Sequence, residues 1–145
     1  MGERPTASRR VLTYGTFDLL HHGHLRLLER LRAFGGWLAV GLSTDAFNMS
    51  KGKTAWEPFE LRRLRLEESG LVDHVFEEHS WEQKLLDIHR LNIAVLGMGY
   101  DWAGQFDYLA TSNCRVIYLP RTPNVNSTRL RLCLDGPRST TRRYS

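Results

Sequence analysis

The chain has 145 residues, 41% of them hydrophobic and 25% charged, which fits one globular domain around one core and excludes a disordered polymer. No run approaches the roughly 18 uninterrupted apolar residues of a membrane-spanning helix, and Met1 to Arg10 carry no apolar stretch behind their arginines, so neither a span nor a secretory signal is expected. The net charge of +4 leans towards anionic partners, while two cysteines, Cys114 and Cys133, are too few for a disulfide framework or a four-sulfur zinc site and suit a reducing cytoplasm.

Residues 1–8 and 136–145 lack apolar periodicity and read as flexible tails around a domain at 9–135. Val11 to Tyr14 reads as a strand ended by Gly15. Leu25, Leu27, Leu28, Leu31 and Phe34 recur at helical spacing until Gly35 and Gly36 stop them. Trp37 to Leu42 is a second strand. Pro58 opens a helix through Leu61, Leu64 and Leu66 that ends at Gly70. Asp73 to Phe76 is a short strand, Trp81 to Leu91 a helix, Ile93 to Met98 a fourth strand, and Arg115 to Leu119 a fifth. Asn126 to Leu134 reads as a closing helix. No internal repeat is present. Strands alternating with helices predict an α/β, Rossmann-like, five-stranded parallel sheet with helices on both faces. Ligands of such sheets bind beyond the carboxyl ends of the strands. The segments to inspect are therefore Gly15 to His24, Ser43 to Lys53, Gly97 to Phe106 and Arg121 to Thr128.

In the first of these, Gly15 permits a close turn, and Gly23 leaves room for a phosphate at the start of a helix, where open N–H groups and the helix dipole favour an anion. His21 and His24 are three apart and share one helix face, so two imidazole donors can stand beside that anion. Two further readings are available for this trio. His22 can be a surface histidine, and the three can form a metal site, although three histidines within four residues cannot all converge on one ion. No Ser–His–Asp or Cys–His arrangement points to a covalent intermediate.

Gly15-Thr-Phe-Asp18 followed by His21-x-Gly-His24 resembles the HxGH nucleotidyltransferase superfamily. Ser43-Thr-Asp-Ala-Phe-Asn48, Trp81-Glu-Gln-Lys84, Met98-Gly-x-Asp-Trp102 with Gly104 and Phe106-Asp107, and Tyr118-Leu-Pro-Arg-Thr122 narrow the resemblance to bacterial glycerol-3-phosphate cytidylyltransferases, in order from about Val11 to Arg131. The resemblance implies transfer of CMP from CTP to glycerol 3-phosphate, giving CDP-glycerol and pyrophosphate by direct in-line attack. It implies that Gly15, Thr16, Phe17, His21, His22, Gly23 and His24 hold the nucleotide, with His21 and His24 on its phosphates and on the transition state. Asp101 would contact base or ribose, and Arg121, Thr122, Asn126, Ser127 and Thr128 would form a second phosphate grip. Lys51 and Lys84 would engage the acceptor's phosphate, Lys51 as a catalytic group, with Lys53 and Arg62 as further candidates. Asn126 also reads as a helix cap, and Trp102 reads equally as core.

Mg²⁺ is expected with the triphosphate, bridging phosphate oxygens, with no metal site built by the protein alone. A cytoplasmic homodimer feeding teichoic acid or capsule synthesis, with no nucleic-acid partner, completes what the resemblance implies. The chain departs from the family at Gly70, where an arginine that contributes to CTP binding is usual. It departs also at Asn124 and Asn126 in the second grip, and at Tyr100, where an acidic residue is common. Those departures keep two other readings open: the same chemistry on another polyol or amino-alcohol phosphate or with another nucleotide, and a non-catalytic nucleotide-binding protein.

Overall fold

The computed structural model describes residues 9–120. The tails expected at 1–8 and 136–145, the phosphate grip at 121–128 and the closing helix at 126–134 lie outside the described residues. In chain order the elements are β1 (Arg9–Gly15), α1 (His22–Arg32), β2 (Gly36–Ser43), α2 (Asp45–Ser50), α3 (Phe59–Glu68), β3 (His74–Glu78), α4 (Gln83–Arg90), β4 (Val95–Gly99) and β5 (Arg115–Leu119). Short 3₁₀ turns at Tyr100–Trp102 and Asp107–Leu109 follow β4.

The five strands form one sheet in the order β3-β2-β1-β4-β5, with every pairing parallel. Alternation along each strand decides which face a side chain serves. Val11, Leu38, Val40 and Leu42 pack with Leu28 and Leu31 of α1 and Phe59 and Leu66 of α3 on one face. Leu12, Tyr14 and Ala39 pack with Ile88 of α4 and with Met98, Phe106 and Leu109 on the other. The sequence expectation of a parallel sheet with helices on both faces is what the chain adopts. Among the described residues no helix is long and apolar enough to cross a membrane.

β1 lies in the middle, with the chain building outward first through β2 and β3 and then on the opposite side through β4 and β5. This reversal opens a crevice at the carboxyl ends of β1 and β4. One close approach shapes it: Gly41 faces the Tyr14 ring, and a Cβ there would stand 2.4 Å from a ring carbon. α2 has no counterpart in the sequence reading, because six residues are too few to show a helical period. It is held by Thr44, whose hydroxyl caps the Phe47 N–H at 3.0 Å.

Candidate active site

The crevice is walled by the ends of four strands: Tyr14, Gly15 and Thr16 from β1, Ser43 from β2, Glu78 from β3 and Met98 from β4. Lys51, Lys53, Trp81, Lys84 and Trp102 close it from the segments that follow. Each segment arrives here because its strand ends here; the parallel sheet turns distant sequence positions into neighbours.

On the β1 side the loop into α1 is tightly specified. Phe17 and Leu19 hold left-handed backbone conformations (φ +47° and +50°), a cost of about 1–2 kcal/mol each for a residue with a side chain. Asp18 anchors the loop: its buried carboxylate accepts the Trp56 and Glu57 N–H groups at 2.8 and 3.0 Å. His21 is the N-cap of α1. Its Nδ1 accepts from the Gly23 N–H at 3.0 Å and, more loosely, from the His24 N–H at 3.4 Å, while His24 Nδ1 accepts from the His21 N–H at 3.2 Å. The helix start therefore is not the set of open amides expected from sequence: the Gly23 and His24 N–H groups already have a ring nitrogen as partner.

That correction sharpens the chemistry. Because Nδ1 accepts in both rings, each neutral imidazole carries its proton on Nε2 and is a donor there. The rings stack, with centroids 3.8 Å apart, and the Phe17 ring meets His24 edge-on at 5.2 Å. Burial above all, and then the histidine beside it, holds each of His21 and His24 below the ordinary imidazole pKa, so both are neutral at pH 7. Phe17 is buried in the core beneath that ring. His22 is exposed at the head of α1.

The crevice lining itself carries the charge, and His21 and His24 are not among the residues that wall it. Lys51, at the end of α2, sets its Nζ 4.3 Å from the centre of the Phe47 ring and 5.2 Å from that of Trp81. Burial pulls its pKa down to about 8, with Lys53, Lys84 and Arg62 adding to the fall and Glu78 opposing it. Lys84 is 1% exposed, and its Nζ lies over the Tyr14, Trp81 and Phe106 rings at 4.5, 4.8 and 5.4 Å. It is also ion-paired to the buried Glu78 carboxylate at 2.5 Å, so the expected phosphate grip has an anion of its own. Tyr14 fixes α4 from beneath by donating its hydroxyl to Asp87 at 2.8 Å, and burial together with that carboxylate raises its pKa.

Arg62 is fully buried and does not line the crevice. It donates to the Glu57, Thr16 and Ser43 carbonyl oxygens at 2.9, 3.0 and 2.9 Å and to the Asp45 carboxylate at 2.6 Å. Two of those carbonyls belong to lining residues, so this arginine braces the strand ends. Thr16 donates its hydroxyl to Asn48 Oδ1 at 3.1 Å, and Asn48 Nδ2 is the one buried side-chain N or O atom without a hydrogen-bond partner among the described residues. Asp101 is exposed in the 3₁₀ turn after β4, outside the crevice lining, whereas Trp102 lines it and packs on Trp81 and Phe106 at 6.2 and 5.4 Å. Lys53 lines it too.

Gly70 follows α3 in a left-handed conformation (φ +78°), with nothing within 4 Å of where a Cβ would stand. Space is available there, but the backbone conformation is one that a side chain penalises, which gives this position a local reason to be glycine. The sequence assigned no site role to Ser43, Glu78, Asn48 or Asp18, although Asp18, Ser43 and Asn48 stand in the motifs that carry the resemblance. The signals were present, in a carboxylate closing a strand beside Ser-Trp-Glu-Gln-Lys and in the acidic end of Gly-Thr-Phe-Asp, but neither has a spacing that announces a role.

A family model described as cytidylyltransferase-like matches residues 12–140. The glycerol-3-phosphate cytidylyltransferase of Bacillus subtilis (strain 168) is 50% identical over 128 residues, spanning 88% of this chain and 98% of that protein. The protein of the same name from Staphylococcus aureus (strain NCTC 8325 / PS 47) is 45% identical over 128 residues, 88% of this chain and 96% of its own. Among solved structures, a lipopolysaccharide core biosynthesis protein from Thermoplasma volcanium GSS1 matches with a TM-score of 0.68 at 21% identity, over 79% of this chain and 98% of that one, a likeness of fold alone.

Proposed function

The chain belongs to the cytidylyltransferase-like family, and on that premise we propose that it transfers CMP from CTP to glycerol 3-phosphate, giving CDP-glycerol and pyrophosphate. The observation that carries this reading is 50% identity to a glycerol-3-phosphate cytidylyltransferase across 98% of that protein's length. A phosphate oxygen of the acceptor attacks the α-phosphorus of CTP, the bond from that phosphorus to the bridging oxygen of the β-phosphate breaks, and pyrophosphate leaves. No covalent enzyme intermediate is needed, so the protein contributes placement and charge neutralisation.

The site is suited to that division of labour. His21 and His24 present neutral Nε2 donors to phosphate oxygens on which charge grows, and their fixed Nδ1 bonds mean they need no reorganisation to do so. Lys51 brings a mobile cation to the acceptor phosphate, with Lys53 beside it. Thr16 and Gly15 let the nucleotide approach the end of β1. Mg²⁺ would enter with the triphosphate, since Glu78, the carboxylate among the described lining residues, is already engaged by Lys84 and Ser43. Carried on the phosphates, it supplies further neutralisation of their charge. The same reading includes a cytoplasmic homodimer whose product supplies a glycerol-phosphate polymer such as teichoic acid or capsule; the names of the relatives support the substrates.

The test is pyrophosphate release by the purified chain with Mg²⁺, crossing CTP, ATP, GTP and UTP with glycerol 3-phosphate and a panel of other phosphorylated alcohols. The expected result is release that needs both CTP and glycerol 3-phosphate, with CDP-glycerol as the second product. Faster release with another pair would reassign the substrates.

A further inference from the structure

Among the described residues, Glu78 is the only carboxylate lining a crevice that also carries three lysines. It is 3% exposed, and both of its oxygens are engaged: Oε1 accepts from the Ser43 hydroxyl at 3.0 Å and Oε2 from Lys84 Nζ at 2.5 Å. A carboxylate offers about four acceptor positions, so two are left after those bonds. The pairing also divides the crevice electrically. Lys84 and Glu78 are buried and paired to one another, whereas Lys51 is half-buried with its Nζ over the Phe47 and Trp81 rings. An acceptor with a phosphate at one end and hydroxyls at the other meets a matching polarity there.

We propose that Glu78 is a specificity-determining residue: held by Lys84 and Ser43, its carboxylate accepts a hydrogen bond from the hydroxyl-bearing end of the acceptor and turns its phosphate towards Lys51. This inference rests on the reaction proposed above. It assigns the acceptor class by chemistry, as short phosphorylated alcohols that keep a free hydroxyl away from the phosphate. The phosphate is repelled by the carboxylate and drawn to the Lys51 ammonium, so the molecule lies in one direction. The rings of Tyr14, Trp81 and Trp102 wall the space and supply no competing charge. The Tyr14 hydroxyl is committed to Asp87, which leaves Glu78 and Ser43 as the acceptors at the buried end. A buried acceptor left without its donor is costly, so a phosphorylated alcohol lacking the hydroxyl is penalised.

The experiment compares kcat/KM for glycerol 3-phosphate with that for n-propyl phosphate, which keeps the chain length and the phosphate but has no hydroxyl, at saturating CTP. The wild-type protein is expected to prefer glycerol 3-phosphate by about a hundredfold or more. In Glu78→Gln that ratio falls at least about tenfold, through loss on glycerol 3-phosphate, with the KM for CTP unchanged. Ser43→Ala, which keeps the ion pair and removes the second tether, shifts the ratio the same way by a smaller factor and decides the matter if Glu78→Gln does not fold. Equal losses on both acceptors, leaving the ratio where it was, overturn the proposal and reduce Glu78 to a support for Lys84. Wild-type protein with no release from CTP and glycerol 3-phosphate overturns the reaction itself, an outcome distinct from active protein with an unmoved ratio.

Discussion

The histidine turn at the start of α1 and the lysine-lined crevice reach charge control by opposite routes. At the start of α1, His21 and His24 are neutral, stacked, and tied by their Nδ1 atoms to the backbone of their own turn. In the crevice, Lys51, Lys84 and Glu78 come from three different segments and sit among aromatic rings, with Lys84 ion-paired to Glu78. The histidine side is local and cheap to build; the lysine side is assembled at long range and stores desolvation cost. Damage to the first should therefore appear in rate, and damage to the second in stability as well.

The largest effect is expected on the charged side. Lys84→Met leaves the Glu78 carboxylate buried without its cation and should cost about 3–5 kcal/mol of folding stability, read by urea unfolding. His24→Ala, by contrast, should lower kcat by roughly a hundred- to a thousand-fold, as removal of one donor to a developing oxyanion does, with a much smaller change in stability. If the two variants exchange these signatures, the division fails.

Titration separates the sides further. Lys51 must carry its proton to attract a phosphate, and its pKa is pulled to about 8, so kcat/KM for the acceptor should fall as pH rises above about 8. Lys51→Arg should move that limb beyond the measurable range, because a guanidinium stays charged. The histidines act on stability with the other sign. Their folded pKa values lie below the unfolded value of about 6.5, so the unfolded chain binds protons first: stability is full above about pH 7 and falls as pH drops through 6.5. Thermal melts between pH 5 and 8 should show the slope, and His24→Gln should flatten it. The smallest effect belongs to Gly70, where Ala should cost about 1–2 kcal/mol through the left-handed backbone alone and leave the KM for CTP unchanged.

The same contrast explains what could be read from the sequence. Apolar alternation in Val11 to Tyr14 and Leu38 to Leu42 reports sheet faces directly, and the parallel sheet follows from strands alternating with helices. His21 and His24 are legible because three-residue spacing on a helix is a local fact. Their mutual capping was not, since a histidine seldom serves as an N-cap and nothing in the pattern marks a ring nitrogen as acceptor. Glu78 and Ser43 are 35 residues apart in sequence, and their meeting depends on β2 and β3 ending side by side. Arg62 was legible as a candidate for the acceptor's phosphate; its burial against Thr16, Ser43 and Asp45 is a consequence of how α3 crosses the strand ends.

The most direct measurement of this account is a matrix of initial rates in which CTP and glycerol 3-phosphate are varied against one another for the wild type, His24→Gln and Lys51→Met. Lys51→Met should raise the KM for glycerol 3-phosphate about tenfold or more with little change in that for CTP, while His24→Gln should lower kcat with little change in the acceptor KM. Two variants that alter the same parameter to the same degree would contradict the claim that the histidine turn and the crevice lysines serve different substrates.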